Sequence, residues 1–235
     1  MLKILLPTIL LLLFFTSCTE KLAHSNYLNY KTKTHLIFPI KENSYIAWGG
    51  RTFEQNAHAS AVNERFALDI VVIKNTTTLT KKDIKEFNIE RYEKNPKVND
   101  DYYCFDKEII AVGNGLVVDI LSNVYDNIPG EHNTNQPYGN YIIIDHGNNE
   151  YSMYGHLKYK SIIVLKNQKI KQGQFIGRCG NSGNSSEAHL HYHMQNTPNL
   201  SDGEGLPTQF NNYIANDKKI IKGELVQGQI IKSSI

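Results

Sequence analysis

The sequence has little cysteine, little net charge and only one long apolar run. Three of its 235 residues are Cys, which is too few for a small scaffold held together by disulfides. The formal net charge is +2, from 25 Lys+Arg against 23 Asp+Glu. Proteins that bind nucleic acid usually carry a large, clustered basic excess, so we expect no nucleic-acid partner. A single apolar run also excludes a multi-span membrane protein.

The rest of the composition is typical of a globular protein. Hydrophobic residues make up 40% of the chain and charged residues 20%, a balance that excludes disordered and collagen-like chains. The length suits one large domain with a substantial core. The chain has no internal repeat or low-complexity tract, and with no sign of oligomerisation we expect a monomer by default.

The N-terminal segment has the pattern of an export signal. Lys3 precedes an apolar run over 4–15, and small residues then lead to Cys18. The run is shorter than the ~20 residues of a membrane-spanning helix. A Cys at this place is typical of bacterial lipoproteins, although an ordinary exported protein with an incidental Cys is the alternative. We predict a signal peptide at 1–17, lipidation of Cys18, a tether at 18–34, and anchoring outside the cytoplasm, at the outer membrane or the cell surface.

The remaining residues, 35–235, predict one mainly β domain. Short β-type runs alternate with Gly, Asn and Asp, which favours an antiparallel sheet. One short helix is predicted from Thr80 to about Tyr92. Export would also permit a disulfide between Cys104 and Cys179. The predicted strands are Phe66–Ile73, Ile109–Ile120, Asn140–His146, Tyr151–His156, Ser161–Leu165, Gln174–Arg178 and His189–Gln195.

Three imidazoles occupy alternate positions in one predicted strand. His189, His191 and His193 line one face of it, because successive side chains of a strand point to opposite sides. A structural strand rarely carries three imidazoles on one face. The pattern indicates a metal site or a proton-transfer site.

An acidic residue interrupts another apolar run. Asp69 lies within 66–73, where an ionised carboxylate is unfavourable unless a cation or several hydrogen bonds compensate it. A partner such as Arg65 is one explanation, and a metal is the one we favour. His58, eleven residues upstream, reaches the same metal if the segment between them forms a loop. Two His and one carboxylate are typical of catalytic zinc, and they also hold iron in oxygenases.

Four motifs in a fixed order surround these residues. They are GNYIIIDHG at 139–147, YGHL at 154–157, a Gly-rich stretch at 173–183 and AHLH at 188–191. Together they resemble the lysostaphin-type (LytM-like) zinc metallopeptidases, which cut peptide bridges in bacterial cell walls. The resemblance implies an antiparallel β-sheet that forms the floor of a narrow groove walled by loops.

The resemblance also implies an active site. The zinc ligands would be His58, Asp69 and His191, and two further active-site imidazoles would be His156 and His189. The implied reaction is hydrolysis of peptidoglycan crosslinks by zinc-activated water. One of the two further imidazoles would assist deprotonation, and the other would stabilise the oxyanion or protonate the leaving amine. Which of them does which stays open.

The sequence departs from the family pattern in one spacing. Ten residues separate His58 from Asp69, where most members have three. His193 matches no catalytic position, so we expect it to hydrogen-bond a ligand or line the groove. Residues 74–104 form a polar insertion that we expect to shape one groove wall. The alternative function is a non-hydrolytic lipoprotein of the same fold that binds the cell wall or activates a hydrolase, although such proteins typically lack some of these residues.

Overall fold

Strands dominate the computed structural model, which describes residues 22–74 and 89–232. Helix in the described residues is limited to two short 3-10 turns, Ala57–Ser60 and Asn99–Asp101. The predicted mainly β, antiparallel fold is confirmed. The strands are β1 Ser44–Trp48, β2 Leu68–Val72, β3 Glu108–Ile110, β4 Gly115–Leu121, β5 Asn140–Asp145, β6 Tyr151–Leu157, β7 Lys169–Ile170, β8 Phe175–Arg178, β9 Leu190–Gln195, β10 Gly205–Leu206, β11 Phe210–Ala215, β12 Lys218–Gly223 and β13 Ile230–Lys232.

Eleven strands form one sheet in the order β12-β11-β13-β1-β2-β9-β6-β5-β4-β7, with β10 beside β9. Strands β3 and β8 pair separately. The register of β9 places His191 opposite Asp69 of β2 on one side and opposite Gly155 of β6 on the other. Directly opposed residues of an antiparallel pair lie on the same face with their Cβ atoms about 5 Å apart. Strand pairing therefore brings two of the predicted ligands together.

Strand β9 is buried on both of its faces. Leu190, Tyr192 and Met194 lie in the main hydrophobic core, each at most 1% exposed. His191 and His193 lie on the opposite face and are also buried, at 2% and 1% exposure. The face that carries the imidazoles is therefore shielded from bulk water, which strengthens every electrostatic interaction there.

One predicted strand is wrong, and a second, Ile109–Ile120, is divided into β3 and β4, which lie in different sheets. Residues Ser161–Leu165 form no strand, and only one backbone hydrogen bond, from Ile163 N to Ile176 O, joins the segment to its neighbour (3.2 Å). Ile163 and Leu165 are 58% and 70% exposed. Val164 lies in the main core at 2% exposure and Ile162 packs against that core, so the segment is held by side-chain packing and not by a strand ladder.

The predicted helix lies largely outside the described residues. Its last part, from Ile89 to Tyr92, is described and is not helical. Tyr92 instead forms an isolated β-bridge with Tyr102. The end of the predicted helix is therefore held by backbone pairing with the following segment.

Cys104 and Cys179 form a disulfide, the pairing that export would permit and that the sequence left open. Their Cα atoms are 6.0 Å apart, within the ordinary range for a disulfide. The bond joins the end of the insertion 74–104 to the residue that precedes the loop 180–188. That loop leads into the imidazole-bearing strand, so the disulfide restrains one side of the site.

The described part of the predicted tether, residues 22–34, packs on the domain. Glu150 is fully buried and accepts hydrogen bonds from Tyr30 Oη (2.8 Å), Lys33 N (2.6 Å) and Thr34 N (2.8 Å). The Thr34 hydroxyl donates to the same carboxylate. This part of the segment is bound along the sheet and does not stand free, because its backbone amides find a buried acceptor.

The predicted signal peptide at 1–17 and the predicted lipidation at Cys18 lie outside the described residues, so both stay predictions. Within 22–74 and 89–232, no helix combines the length and the apolar character needed to cross a bilayer.

Replacing Glu150 by glutamine is expected to remove an acid-sensitive part of the stability. Burial alone would raise the pKa of Glu150, but hydrogen bonds from Thr34, Lys33 and Tyr30 outweigh it and lower the pKa. A carboxyl with a lowered pKa stabilises the fold above its unfolded value of about 4.3, and this stabilisation is lost as the pH falls through the folded pKa. We expect Glu150→Gln to lower the free energy of unfolding by about 2 kcal/mol at pH 7.

Urea unfolding between pH 7 and pH 3 measures this effect. The loss of stability below about pH 4 should be smaller in Glu150→Gln than in the wild type. The same exchange at the exposed Glu131 is the control and should change little. Equal acid sensitivity in the wild type and Glu150→Gln would contradict the assignment.

Candidate metal centre and active-site cleft

The three predicted ligands, His58, Asp69 and His191, lie together in the structure. Asp69 Oδ2 is 3.1 Å from His58 Nε2, and Asp69 Oδ1 is 3.1 Å from His191 Nδ1. One candidate ligand atom from each residue lies within 4.8 Å of the other two. Zinc binds nitrogen and oxygen at about 2.0–2.2 Å, so a single ion between the three atoms suits this spacing.

The segment before Asp69 forms a loop that Asn56 and Arg65 hold in place. Asn56 is fully buried, and its side-chain oxygen accepts a hydrogen bond from His58 N (3.0 Å). Its amide group donates to backbone carbonyls at 65 and 67, next to the start of β2. Arg65 Nη1 donates to Ala59 O (3.0 Å), so this side chain supports the loop and is not the partner of the carboxylate. These contacts bring His58 to the site across ten intervening residues.

A chain of hydrogen bonds determines which nitrogen of His191 faces the site. Gln195 Nε2 donates to two backbone carbonyls (2.7 and 3.1 Å), so Gln195 Oε1 accepts from His193 Nε2 (3.1 Å). His193 Nδ1 then accepts from His191 Nε2 (3.0 Å). His191 Nδ1 is left without a proton and points at Asp69. His193 thus contacts a candidate ligand, as the sequence led us to expect.

Glu64 orients the other candidate imidazole in a similar way. His58 Nδ1 lies 3.2 Å from Glu64 Oε2, and a carboxylate accepts, so Nδ1 carries the proton. His58 Nε2 then presents its lone pair to Asp69. The lone pairs of His58 Nε2 and His191 Nδ1 therefore both face the Asp69 carboxylate at about hydrogen-bond distance. Three hydrogen-bond acceptors this close repel one another unless a proton or a metal cation lies between them.

Electrostatics at the site agree with that requirement. Burial would lower the pKa of His58, but Asp69 and Glu64 outweigh it and raise the pKa to about 10. Burial would raise the pKa of Asp69, but His58 and His189 hold it well below its ordinary value. Asp69 is thus held in its ionised form, and the imidazoles around it can bind a proton or share a metal cation with it. Two nitrogens and one carboxylate oxygen are a set that zinc takes in catalytic sites, so the residues fit this ion.

His156 and His189 stand beside this centre with their ring centroids 4.8 Å apart. His156 Nδ1 donates to Ser182 O (2.8 Å), and His189 Nδ1 donates to Glu187 O (2.9 Å). A carbonyl only accepts, so both neutral rings carry the proton on Nδ1 and keep Nε2 as the basic atom. Burial, aided by His189, lowers the pKa of His156, whereas Asp69 raises the pKa of His189 against the effect of burial.

The backbone at His156 adopts a left-handed conformation with φ of 57°. Such a conformation is uncommon for residues other than glycine and costs of order 1 kcal/mol. The His156 N–H donates to Tyr138 O (2.8 Å), and the ring bond to Ser182 holds the side chain. Strain that the surroundings maintain in this way is typical of functional sites.

The site opens into a cleft of about 210 Å³. Ala47, Trp48 and Val71 are its apolar lining residues, and Glu187 also lines it. Glu187 accepts a hydrogen bond from Arg91 (2.8 Å), so the predicted insertion does contact a wall of the cleft.

Sequence reasoning missed three residues that support the candidate ligands. Gln195 continues the alternate positions of His191 and His193, and that pattern could have identified it. Asn56 hydrogen-bonds backbone groups of the loop, and Glu64 accepts from a ring nitrogen of His58. Neither contact follows from a fixed spacing in the sequence, so no sequence pattern predicts it.

Comparison with known proteins finds similarity to peptidases over part of the chain. Residues 103–203 match the model of Peptidase family M23, a range that includes His156, His189 and His191 but not His58 or Asp69. The chain is 48% identical over 61 residues to the peptidoglycan DD-endopeptidase ShyA of Vibrio cholerae, which covers 26% of this chain and 14% of the relative.

Two further similarities accompany this match. The chain is 37% identical over 67 residues to the peptidoglycan DD-endopeptidase ShyC of Vibrio cholerae, which covers 28% of this chain and 15% of the relative. It therefore spans about one seventh of the length of these two curated relatives. The catalytic domain of lysostaphin from Staphylococcus simulans matches 55% of this chain and 95% of that chain, with 19% identity and a TM-score of 0.32.

Proposed function

We propose that the chain is a zinc-dependent endopeptidase of peptidase family M23 that hydrolyses peptide crosslinks of bacterial peptidoglycan; the match of residues 103–203 to that family supports the proposal. The observation that carries the proposal is the convergence of His58 Nε2, the Asp69 carboxylate and His191 Nδ1, with both nitrogens turned toward the carboxylate. The substrate class follows from the relatives, two of which are named as peptidoglycan endopeptidases.

The chain's own residues supply proton transfer beside the metal. Zinc held by His58, Asp69 and His191 would polarise a peptide carbonyl and lower the pKa of a bound water. His156 and His189 each offer an unprotonated Nε2, since Ser182 and Glu187 hold their Nδ1 protons. Such a nitrogen can take the proton of the attacking water, and the resulting imidazolium can return a proton to the leaving amine.

Export and anchoring at Cys18 belong to the same proposal. The disulfide between Cys104 and Cys179 supports it, because disulfides persist mainly outside the cytoplasm. Labelling of growing cells with a radioactive fatty acid tests the anchor. The label should appear in the wild-type protein and be absent from Cys18→Ser, and an unlabelled wild type would refute the anchor.

Digestion of purified peptidoglycan tests the activity. Zinc-loaded protein should convert crosslinked muropeptides to monomers, as seen by mass spectrometry, and a chelator should stop the conversion. Readdition of zinc should restore it. Peptidoglycan that is bound but not cut would refute the hydrolase and favour the non-hydrolytic alternative.

A further inference from the structure

A second cavity lies beside the loop 122–139, which connects β4 to β5. Its volume is about 490 Å³. Tyr125 and Ile128 belong to its lining and are 72% and 64% exposed. Large apolar side chains that share one exposed site indicate a binding surface.

Tyr125 is held in a fixed position at this cavity. Its ring stacks on Tyr159 with the centroids 4.3 Å apart and the planes 26° apart. Asp126 Oδ2 accepts a hydrogen bond from Tyr159 N (3.0 Å), and Asp126 Oδ1 accepts one from Asn181 N (2.7 Å). Lys160 Nζ lies 4.9 Å from the Tyr159 ring centroid. The stack is therefore ordered before any ligand arrives, while most of Tyr125 stays open to solvent.

The polar lining of the cavity narrows the class of ligand. Asn123, Asn133 and Gln136 offer side-chain amides, and Glu131 offers a carboxylate. The structure describes all nine lining residues, and none of them is a lysine, arginine or histidine. An anionic ligand such as a phosphate therefore finds no cationic side chain among these lining residues. An uncharged ligand with hydroxyl and acetamido groups and one apolar ring face matches the amides and the exposed aromatic ring.

The cavity and the catalytic cleft share the loop 122–139, which contributes to the lining of both. Asn127 Nδ2 donates to Gly183 O (2.7 Å) and Ser185 O (2.8 Å), and Gly130 N donates to Ser186 O (2.8 Å). Ser185, Ser186 and His132 line the catalytic cleft. The loop 122–139 therefore contributes residues to both the cavity and the cleft, through Tyr125 on one and His132 on the other.

We propose that the cavity binds the glycan strand of peptidoglycan, with an N-acetylated hexosamine ring stacked on Tyr125. The inference rests on the proposed function, since a peptide held in the cleft is attached to such a strand. The amides of Asn123, Asn133 and Gln136 would hydrogen-bond the hydroxyl and acetamido groups. The site would select crosslinks that are still attached to glycan.

Titration with a peptide-free glycan tests the inference. The probe is the β-1,4-linked tetramer of N-acetylglucosamine, added to zinc-loaded protein and followed by amide NMR shifts. Shifts should concentrate at Tyr125, Ile128 and Asn133. Tyr125→Ala should weaken binding about tenfold, whereas Tyr125→Phe, which keeps the ring, should retain it. Ile221→Ala is the control, because Ile221 is 66% exposed on the distant β12.

The possible outcomes separate this inference from the proposed function. Three results would overturn the glycan site. They are no binding at tetramer concentrations up to about 10 mM, amide shifts that fall elsewhere on the surface, and an affinity for the tetramer that is unchanged in Tyr125→Ala. Tetramer binding by a protein that cuts no crosslink would overturn the hydrolase and leave the glycan site standing. Hydrolysis without tetramer binding would overturn the glycan site alone.

Discussion

Replacing His189 by alanine is expected to slow crosslink hydrolysis about 10³-fold while zinc stays bound. His189 Nε2 lies 3.5 Å from Asp69 Oδ1, beside the candidate ligands, while its Nδ1 is committed to Glu187 O. The substitution removes an imidazole that transfers a proton and leaves all three candidate ligands in place. The measurements are kcat/KM on a defined crosslinked muropeptide and zinc per chain.

The matched control is the same substitution at His35. This imidazole is exposed and accepts a hydrogen bond from Gln172 Nε2 (3.2 Å) on a part of the surface that does not line the cleft. His35→Ala should hydrolyse the muropeptide at the wild-type rate. A loss of less than tenfold in His189→Ala, or a loss of its zinc, would contradict the role proposed for His189.

Asp69→Asn is expected to weaken zinc binding by more than about 100-fold, since changes even to residues around the ligands cost 10–100-fold. The carboxylate is the only anionic candidate ligand, and both imidazole nitrogens face it. An amide keeps the shape and removes the charge. Zinc at 100 times its Kd should raise the free energy of unfolding of the wild type by about 2.7 kcal/mol. The same zinc concentration should stabilise Asp69→Asn little.

Asp119→Asn is the control for this experiment. Asp119 lies on β4 and pairs with Lys166, and it is not among the candidate ligands. Stabilisation by zinc should be the same in Asp119→Asn as in the wild type. Equal stabilisation of Asp69→Asn would show that the metal binds elsewhere.

The alternate imidazoles were predictable because strand geometry has a fixed period of two. His189, His191 and His193 do share a side of the sheet, and they contact one another or Asp69 there. The register was not predictable. That Asp69 stands opposite His191 depends on β9 lying between β2 and β6, and this order follows from packing of the whole sheet.

The sequence predicted that His58 reaches the metal only on the condition that the segment between His58 and Asp69 forms a loop. The loop is held by a buried amide, Asn56, and by Arg65, which bind backbone carbonyls. Backbone carbonyls occur at every residue, so such contacts leave no mark in the sequence.

The hairpin of β11 and β12 was predictable from the sequence, because Asn216 and Asp217 are a turn signal between two β-type runs. Asn216 and Asp217 join the two strands with φ of 48° and 60°, values that two-residue hairpin turns require and that Asn and Asp tolerate. The strands β1, β10 and β13 carried weaker signals, since they are short or take their partners from distant parts of the chain.

The metal content of the purified, zinc-loaded protein tests the central claim most directly. The account predicts one zinc per chain in the wild type and almost none in His191→Ala. X-ray absorption should show two imidazole nitrogens and a carboxylate oxygen at about 2.0–2.2 Å. A wild type without zinc, or His191→Ala with as much zinc as the wild type, would contradict the account.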